Sequence, residues 1–510
     1  MRILYLDIDC LRWDRLHCNG NPRPTTPAID AVASRGVNFT QCHTSDAPCL
    51  PSRAALFSGR FGVNNGAICH EGPAQPLRYA GLGHWHDPTR AHWLRVMQHA
   101  GWKTVSFSGF GQRHCAWWYN VGFTDSYSNR LPGGMESAEF IESHVAPWLE
   151  ANGKSDRWFM HVNFWDTHSP YNRQPARYDK EMAEVPGQAW PTGEEIREDH
   201  DRWFGPRTAR EWFLNTGSAN PWGKESSKPR QWDVPLEIKN RADFDRFLLG
   251  YDASLRYVDD TIGRFLAILE RQGVLEDTLI MVSADHGEAI AEQGMYFEHG
   301  NCSEGVNHIP LVMAGPGVKE GLTSDALVYQ FDMIPALLGA AECELPSQLD
   351  CGDLSPVLRG EDFGGRDHLV LGCGIYSFQR AVRTRTHRLI RTIHPGYYPL
   401  EPKVLVNLEA DPLGRHNALA DEPDVAARLD SLYADWWHAR CAGPGASVDP
   451  FTTMTDWGPY TYGEPEEMVA EYERQGRAEH AEIMRRRLLA GPRRRGAWKE
   501  RKRTKELAGG

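Results

Sequence analysis

The sequence contains no apolar run long enough to cross a bilayer, so it predicts no membrane-spanning segment. The N-terminal residues also lack the charged, apolar and small-residue layout of a signal peptide, and we therefore expect a cytoplasmic protein. A formal net charge of −12 excludes the basic excess typical of proteins that bind nucleic acid or anionic membranes. Together these absences favour a globular protein that has neither a membrane nor a nucleic acid as its partner.

The pattern of cysteines does not predict a disulfide framework. The 11 cysteines are odd in number and scattered along the chain, which is typical of free thiols. Spacings such as Cys42 to Cys49 and Cys343 to Cys351 do not match those of a zinc site. Each cysteine therefore has to be interpreted from its own neighbours.

The composition, 41% hydrophobic and 24% charged over 510 residues, is that of a chain that forms one large domain and a smaller one. Apolar strands alternate with helical stretches, of which Asp252–Gln272 is the clearest because its apolar residues recur at helical spacing. This alternation predicts an α/β fold in which helices flank a large, mainly parallel sheet. The predicted strands are Ile3–Ile8, Val37–Gln41, Lys103–Ser106, Trp158–Phe164, Thr278–Val282 and Pro310–Met313.

We expect residues 1–365 to form the large domain, with residues 171–240 inserted above its functional site. Residues 366–450 predict a small α+β subdomain with an antiparallel sheet, and residues 451–510 an extension with a basic tail. The strands and helix predicted in the subdomain are Arg380–Arg385, His387–Thr392, Lys403–Asn407 and Val425–Ala439. The insertion is rich in tryptophans, namely Trp190, Trp203, Trp212, Trp222 and Trp232. We expect them either to stack on substrate rings or to pack within a loop-rich layer.

One cysteine lies in a distinctive local pattern, Asp46-Ala47-Pro48-Cys49-Leu50-Pro51-Ser52-Arg53, which continues as an apolar helix. Pro51 and Ser52 suit the first positions of a helix, so we expect Cys49 at a helix N-terminus. The helix dipole there favours negative charge and lowers the pKa of a thiol. Arg53 projects from the same face and can meet an anion held at Cys49. The alternative is a buried structural cysteine beside a surface arginine.

Acidic residues and histidines follow three of the predicted strands. Asp7 and Asp9 lie on one face where the first strand ends. Asp285 and His286 follow Thr278–Val282, and His168 follows Trp158–Phe164. Because the C-terminal ends of parallel strands share one edge of a sheet, we expect these side chains to line one crevice.

The pattern Cys49-x-Pro51-Ser52-Arg53, with Ser58-Gly59 at the end of the helix, resembles the signature of the type I sulfatase family. The resemblance covers residues 1–440 outside the insertion and implies an alkaline-phosphatase-like fold. It also implies that a formylglycine-generating enzyme oxidises Cys49 to Cα-formylglycine, an aldehyde whose hydrate attacks the sulfur of a sulfate ester. Arg53 would orient that nucleophile.

The resemblance also implies a divalent metal. Asp9 matches the first of the family's paired metal aspartates, whereas Cys10 replaces the second. Asp285 and His286 match the second metal pair in its histidine-bearing variant, so the implied ligands are Asp9, residue 49 (Cys49), Asp285 and His286. A mainly oxygen shell favours Ca²⁺, while the imidazole and the missing carboxylate keep Mn²⁺ and Mg²⁺ as alternatives.

Histidines supply proton transfer near neutral pH. His168 stands in a segment that resembles the one bearing the family's active-site histidine, and it is the first candidate for the general acid. His299 lies where many sulfatases carry a lysine and is the second candidate. Arg113 and His114 fall near the family's Gly-Lys-x-His segment, so Arg113 would bind the sulfate and His114 would act as a base. His70 would line the substrate pocket.

The leading hypothesis is hydrolysis of a sulfate monoester of a sugar, an aryl alcohol or an alkyl alcohol. The runner-up is a phosphonate monoester or phosphodiester hydrolase of the same superfamily, which would share the single aspartate at Asp9; the replacement at Cys10 keeps it open. A non-catalytic binding protein on this fold is a third hypothesis, against which the intact Cys49 and Arg53 argue. The oligomeric state stays open, with a homo-oligomer among the options.

Overall fold

The structure, a computed structural model, describes residues 1–70, 92–128, 134, 136–202, 207–208, 235, 237–346, 349–362, 364–396, 398–442, 448–455, 459 and 465–489. Within these ranges no helix is both long and apolar enough to cross a bilayer. The predicted basic stretches at residues 493–495 and 499–505 lie outside the described residues, as do Trp203, Trp212, Trp222 and Trp232. Trp190 is described and packs against a buried apolar cluster under the insertion.

The large sheet contains nine strands and follows the order β10-β2-β8-β7-β1-β6-β4-β5, with β9 paired to β2. All of its pairs are parallel except those of β8 with β2 and β7. Its strands are β1 (Arg2–Ile8), β2 (Gly36–His43), β4 (Lys103–Phe107), β5 (Asp125–Tyr127), β6 (Trp158–Phe164), β7 (Thr278–Ser283), β8 (His308–Ala314), β9 (Leu322–Ser324) and β10 (Val328–Tyr329). The predicted α/β fold with a mainly parallel sheet is confirmed.

Strand β1 lies near the centre of this sheet, and both of its faces are buried. All seven of its residues are buried, and it pairs in parallel with β6 and β7. In the register, Asp7 lies beside Asn163 and Ser283, so polar residues meet where the three strands end. The C-terminal edge of the sheet is therefore the polar edge, as the sequence predicts.

Helices cover the sheet and carry the site. The longest described helix begins at Arg241, well before the predicted start at Asp252, and the Asn240 side chain accepts a hydrogen bond from the Asp243 amide at its N-terminus. The helices are α1 (Pro27–Ser34), α2 (Cys49–Ser58), α3 (Gly62–Asn65), α4 (Leu94–His99), α5 (Phe110–Arg113), α6 (Trp117–Asn120), α7 (Ala138–Asn152), α8 (Ala176–Ala183), α9 (Gly193–Arg202), α10 (Arg241–Arg271), α11 (Glu304–Asn307), α12 (Met333–Ala340), α13 (Ser355–Leu358), α14 (Pro423–Cys441), α15 (Pro450–Met454), α16 (Pro465–Arg474) and α17 (Ala478–Met484). Shorter helical turns span Trp13–Arg15, His17–Asn19, Glu292–Gly294, Gln330–Asp332 and Arg485–Leu489.

A second, five-stranded sheet follows the order β14-β13-β12-β11-β3. Four of its strands come from the C-terminal region, namely β11 (Leu369–Gly374), β12 (Phe378–Arg383), β13 (His387–His394) and β14 (Lys403–Asn407). The fifth, β3 (Asp46–Ala47), runs parallel to β11 and lies just before Cys49. The predicted subdomain therefore gains a strand from the large domain. A two-residue strand is too short to show the alternation that would have predicted it.

The described part of the insertion packs over the first turns of α10. Tyr171 and Ile196 bury their side chains against Phe244, Phe247 and Phe297. Phe244 and Phe247 recur at helical spacing, which explains why α10 continues N-terminal to its predicted start. The insertion thus adds an apolar layer next to the loop that carries His299.

Candidate active site

Cys49 is the first residue of α2 and is buried. The hydroxyl of Ser52 donates a hydrogen bond to the carbonyl of Asp285 at 2.6 Å, which ties α2 to the end of β7. The sequence predicts a lowered thiol pKa for Cys49, and this prediction is wrong for the unmodified residue. Burial and the carboxylates of Asp9 and Asp285 raise the pKa of the Cys49 thiol, because together they outweigh the opposing charges of Arg53 and Arg113.

Arg53 lies one turn further along α2, and its guanidinium is surrounded by carboxylates. It lies 3.0 Å from Asp7 and 3.2 Å from Asp9, and it also pairs with Asp285. The guanidinium carbon lies 4.9 Å from the centre of the Phe110 ring, which covers one side of it. Arg53 therefore offsets the negative charge at the strand ends and fixes the carboxylates relative to Cys49.

Asp9, Cys49, Asp285 and His286 converge as the resemblance implies. One ligand atom from each lies within 4.8 Å of the others, and all four residues are buried. The Cys49 sulfur lies 3.1 Å from Nε2 of His286. The other ring nitrogen, Nδ1, lies 2.7 Å from the Gly287 carbonyl and donates to it, which leaves Nε2 as the nitrogen able to bind a metal.

The electrostatics of this group fit a cation. Burial and the neighbouring Asp285 carboxylate raise the pKa of Asp9, while the Arg53 guanidinium, against the effect of burial, lowers that of Asp285. Two buried carboxylates this close repel each other when both are ionised. A divalent cation between them would relieve that repulsion, and oxygen with imidazole ligands is a set that such ions accept.

His168 and His299 also lie beside Cys49. One ligand atom each of Cys49, His168 and His299 lie within 4.8 Å of one another. Nδ1 of His168 lies 2.9 Å from the Ser169 carbonyl, and Nη2 of Arg113 lies 3.5 Å from its Nε2. Burial and the Arg113 charge lower the pKa of His168 well below its ordinary value, so its imidazole is neutral.

His299 has the opposite environment. Its Nδ1 lies 3.0 Å from Glu288 and 3.5 Å from Glu298. Burial lowers the pKa of His299, but the two carboxylates more than offset it and raise the pKa to about 9. The two candidate acids therefore differ in charge at neutral pH: His299 is protonated and His168 is not.

The remaining predicted residues lie close by. Nε2 of His70 accepts a hydrogen bond from the Leu50 amide at 3.3 Å, and the His70 and His114 ring centres are 4.7 Å apart. Burial lowers the pKa of both histidines. The Arg113 guanidinium carbon lies 5.1 Å from the centre of the Trp165 ring. The structure thus brings every predicted site residue into one region around Cys49.

Sequence reasoning missed the residues that support this region. Glu288, the carboxylate partner of His299, follows directly after the Asp285-His286-Gly287 segment, and that position is the signal by which it could have been found. His161 lies in the buried strand β6, with its Nε2 3.0 Å from Asp7 and its Nδ1 2.9 Å from the hydroxyl of Tyr119. A histidine in the middle of a buried strand gives no sign of which partner it will meet.

Comparisons with known proteins identify the family and the fold. The family model described as Sulfatase matches residues 2–343. The chain is similar to an ulvan-active sulfatase of Formosa agariphila, with 24% identity over 457 residues that cover 85% of this chain and 79% of the relative. Its fold is similar to that of a protein solved in complex with its substrate D-glucosamine-2-N,6-O-disulfate, with a TM-score of 0.66, 19% identity and coverage of 86% of this chain and 97% of that one. A phosphonate monoester hydrolase of Agrobacterium radiobacter shares the fold with a TM-score of 0.63, 21% identity and coverage of 85% and 95%.

Proposed function

This chain belongs to the sulfatase family and is a sulfuric ester hydrolase, and we propose that it releases inorganic sulfate through a formylglycine formed at residue 49. The observation that carries the proposal is the position of Cys49. Its sulfur adjoins the metal-binding set of Asp9, Asp285 and His286, and it also adjoins His168 and His299. A nucleophile placed there has cationic and proton-transferring groups within reach.

We propose that Asp9, Asp285, His286 and residue 49 hold a divalent cation. When bound, the cation supplies positive charge to the sulfate oxygens and to the nucleophile. The carboxylate ligands favour Ca²⁺ and the imidazole favours Mn²⁺, with Mg²⁺ as a further alternative. Elemental analysis of the purified protein, followed by reconstitution with each ion, identifies it.

The chain's own residues account for the proton transfers. One hydroxyl of the formylglycine hydrate would release its proton to water and attack sulfur, the bond from sulfur to the alcohol oxygen would break, and that oxygen would take a proton. We assign this proton to His299, because the carboxylates of Glu288 and Glu298 stabilise its imidazolium form. His114 then takes the proton of the remaining hydroxyl, sulfate leaves, and the aldehyde re-forms.

His168 is the first acid candidate from sequence, and its contacts in the structure suit another role. Its Nδ1 donates to a backbone carbonyl, so Nε2 is the acceptor of the neutral ring. With Nη2 of Arg113 3.5 Å from that nitrogen, Arg113 is suited to bind the sulfate group, and His168 is suited to orient Arg113. We therefore place His299 first and His168 second among the candidates for the acid.

We propose a sulfated saccharide or a sulfate ester of a small alcohol as the substrate. The similarity to an ulvan-active sulfatase and the fold shared with a glucosamine-disulfate complex support this class. The runner-up, a phosphonate monoester or phosphodiester, is favoured by one feature, the replacement of a metal carboxylate by Cys10. Maturation would require a formylglycine-generating enzyme as a transient partner.

The decisive experiment is a turnover panel of aryl sulfates, sugar sulfates, choline sulfate and phosphonate esters, with Cys49→Ala as the matched inactive control. We expect a sulfate ester to have the highest kcat/KM of the panel, and we expect the Cys49→Ala protein to hydrolyse none of the esters. A phosphonate ester that exceeded every sulfate would establish the runner-up. Turnover by the Cys49→Ala protein would contradict the proposed nucleophile.

A further inference from the structure

Cys10 occupies an unusual position at the end of the central strand. Its backbone is left-handed, with φ at 61°, which is uncommon for a residue with a side chain. Two contacts hold it there: its amide donates to Asp285 at 3.2 Å, and its carbonyl accepts from the Tyr251 hydroxyl at 2.6 Å. The side chain is buried. The thiol is therefore held in the site by its neighbours.

The Cys10 thiol meets further ligand atoms. Its sulfur lies 3.2 Å from Oδ1 of Asp9 and 4.0 Å from Nδ1 of His299. One ligand atom each of Cys10, His286 and His299 lie within 4.8 Å of one another. Metal–sulfur bonds of about 2.3 Å and metal–nitrogen bonds of about 2.0 Å let one ion join a sulfur and a nitrogen that are up to about 4.3 Å apart. The 4.0 Å between the Cys10 sulfur and His299 lies within that reach.

We propose that Cys10, His286 and His299 form a thiolate-bearing cation site that takes Zn²⁺ or another soft divalent ion, with Asp9 beside it as a fourth ligand. One sulfur, two imidazoles and a carboxylate are ligand types that Zn²⁺ binds. As the metal–ligand bonds form, the thiol proton of Cys10 and one proton of the His299 imidazolium leave to the buffer. The site shares His286 and Asp9 with the proposed catalytic metal site, so the two ions exclude each other.

Hard and soft ions should differ sharply at this site. A hard ion such as Ca²⁺ gains little from sulfur and leaves the thiol protonated, whereas Zn²⁺ binds thiolate strongly enough to displace the proton. Bound Zn²⁺ would also occupy His299, the proposed acid. Zn²⁺ would therefore inhibit turnover. This inhibition rests on the proposed function, whereas the binding of Zn²⁺ at Cys10 does not.

The test uses the full-length Cys49→Ser protein, in which the thiol at residue 49 is absent, and Co²⁺ as a spectroscopic probe for Zn²⁺. We expect a thiolate-to-Co²⁺ charge-transfer band in the Cys49→Ser protein, and no such band in the matched Cys49→Ser/Cys10→Ser protein. In competition with a chelator, Zn²⁺ affinity should fall by roughly tenfold to a hundredfold or more when Cys10 is removed. Circular dichroism checks that both proteins are folded. If Cys10→Ser fails to fold, Cys10→Asp, the residue of the family pattern, replaces it.

A band that is unchanged in the double variant, or absent from both proteins, overturns the inference. Turnover of sulfate esters is measured separately on the formylglycine-bearing protein. If the protein hydrolyses sulfate esters but shows no Cys10-dependent band, the soft-ion site is refuted and the proposed function stands. If the band depends on Cys10 but the protein hydrolyses no sulfate ester, the soft-ion site is supported and the proposed function is refuted.

Discussion

Glu288→Gln tests the acid–base assignment by removing one charge without changing the size of the side chain. In the structure one oxygen of Glu288 lies 3.0 Å from Nδ1 of His299, and the other accepts a hydrogen bond from Tyr171 at 3.0 Å. The pKa of His299 is about 9, since the carboxylates more than offset the effect of burial. The glutamine keeps a hydrogen-bonding side chain and loses the charge that stabilises the imidazolium.

The expected size of the effect follows from that contact. A hydrogen bond to a charged group contributes about 1.5–3 kcal/mol, and one pKa unit corresponds to about 1.4 kcal/mol. Glu288→Gln should therefore lower the pKa of His299 by roughly one to two units. The acid form of His299 exists below its pKa and is lost as pH rises through it. The alkaline limb of the activity profile should therefore move to lower pH by the same amount.

The assay is the pH dependence of kcat/KM with a sulfate ester of a poorly acidic alcohol, where protonation of the leaving group matters most. Because wild type and variant hold the same metal, the difference between their limbs is the quantity to compare. Glu298→Gln is the matched control and should shift the limb less, because its carboxylate lies farther away, at 3.5 Å. Identical limbs for wild type and Glu288→Gln, or a shift to higher pH, would refute the assignment of His299 as the acid.

Three further predictions concern other parts of the site. His299→Ala should slow esters of poorly acidic alcohols by roughly a hundred- to ten-thousand-fold and acidic phenol esters far less, whereas His168→Ala should slow both groups alike; the reverse pattern in a leaving-group series would give the acid role to His168. Asp285→Ala should lose both bound metal and turnover while its circular dichroism stays native, and a full metal content by elemental analysis would contradict the ligand set. Phe57, on α2, packs against the rings of His92, Tyr119, Phe123 and His161. Phe57→Ala should lower the free energy of unfolding by about 3–5 kcal/mol in a denaturant titration, with Phe57→Leu as the milder control, and a loss below 1 kcal/mol would show that this ring is not needed to hold α2.

The sequence predicts the large sheet well because its strands are short apolar runs that end in polar residues. The predicted strand Trp158–Phe164 matches β6 residue for residue, and Ile3–Ile8 differs from β1 only by Arg2. Two features needed the three-dimensional structure. The short strand β3 has no periodicity of its own, and the antiparallel direction of β8 depends on its partners rather than on its residues.

In the candidate site, too, some features are predicted from the sequence and others needed the three-dimensional structure. Cys49 and the Asp285-His286 pair are predicted from local patterns, because their residues are adjacent in sequence. The environment of each side chain is not, because it depends on contacts between distant elements. Burial and the carboxylates of Asp9 and Asp285 raise the pKa of the Cys49 thiol, although its position at a helix N-terminus predicts a lowered one. Glu288 lies 11 residues from His299 in the sequence, and its carboxylate together with that of Glu298 raises the pKa of His299.

Mass spectrometry of the peptide that contains residue 49 tests the central claim most directly. The protein is produced with and without a formylglycine-generating enzyme, and each sample is assayed for sulfate release from the best ester of the panel. We predict that turnover rises in proportion to the fraction of Cys49 in which the thiol is replaced by an aldehyde. Full turnover by protein whose Cys49 is entirely unmodified would contradict the account.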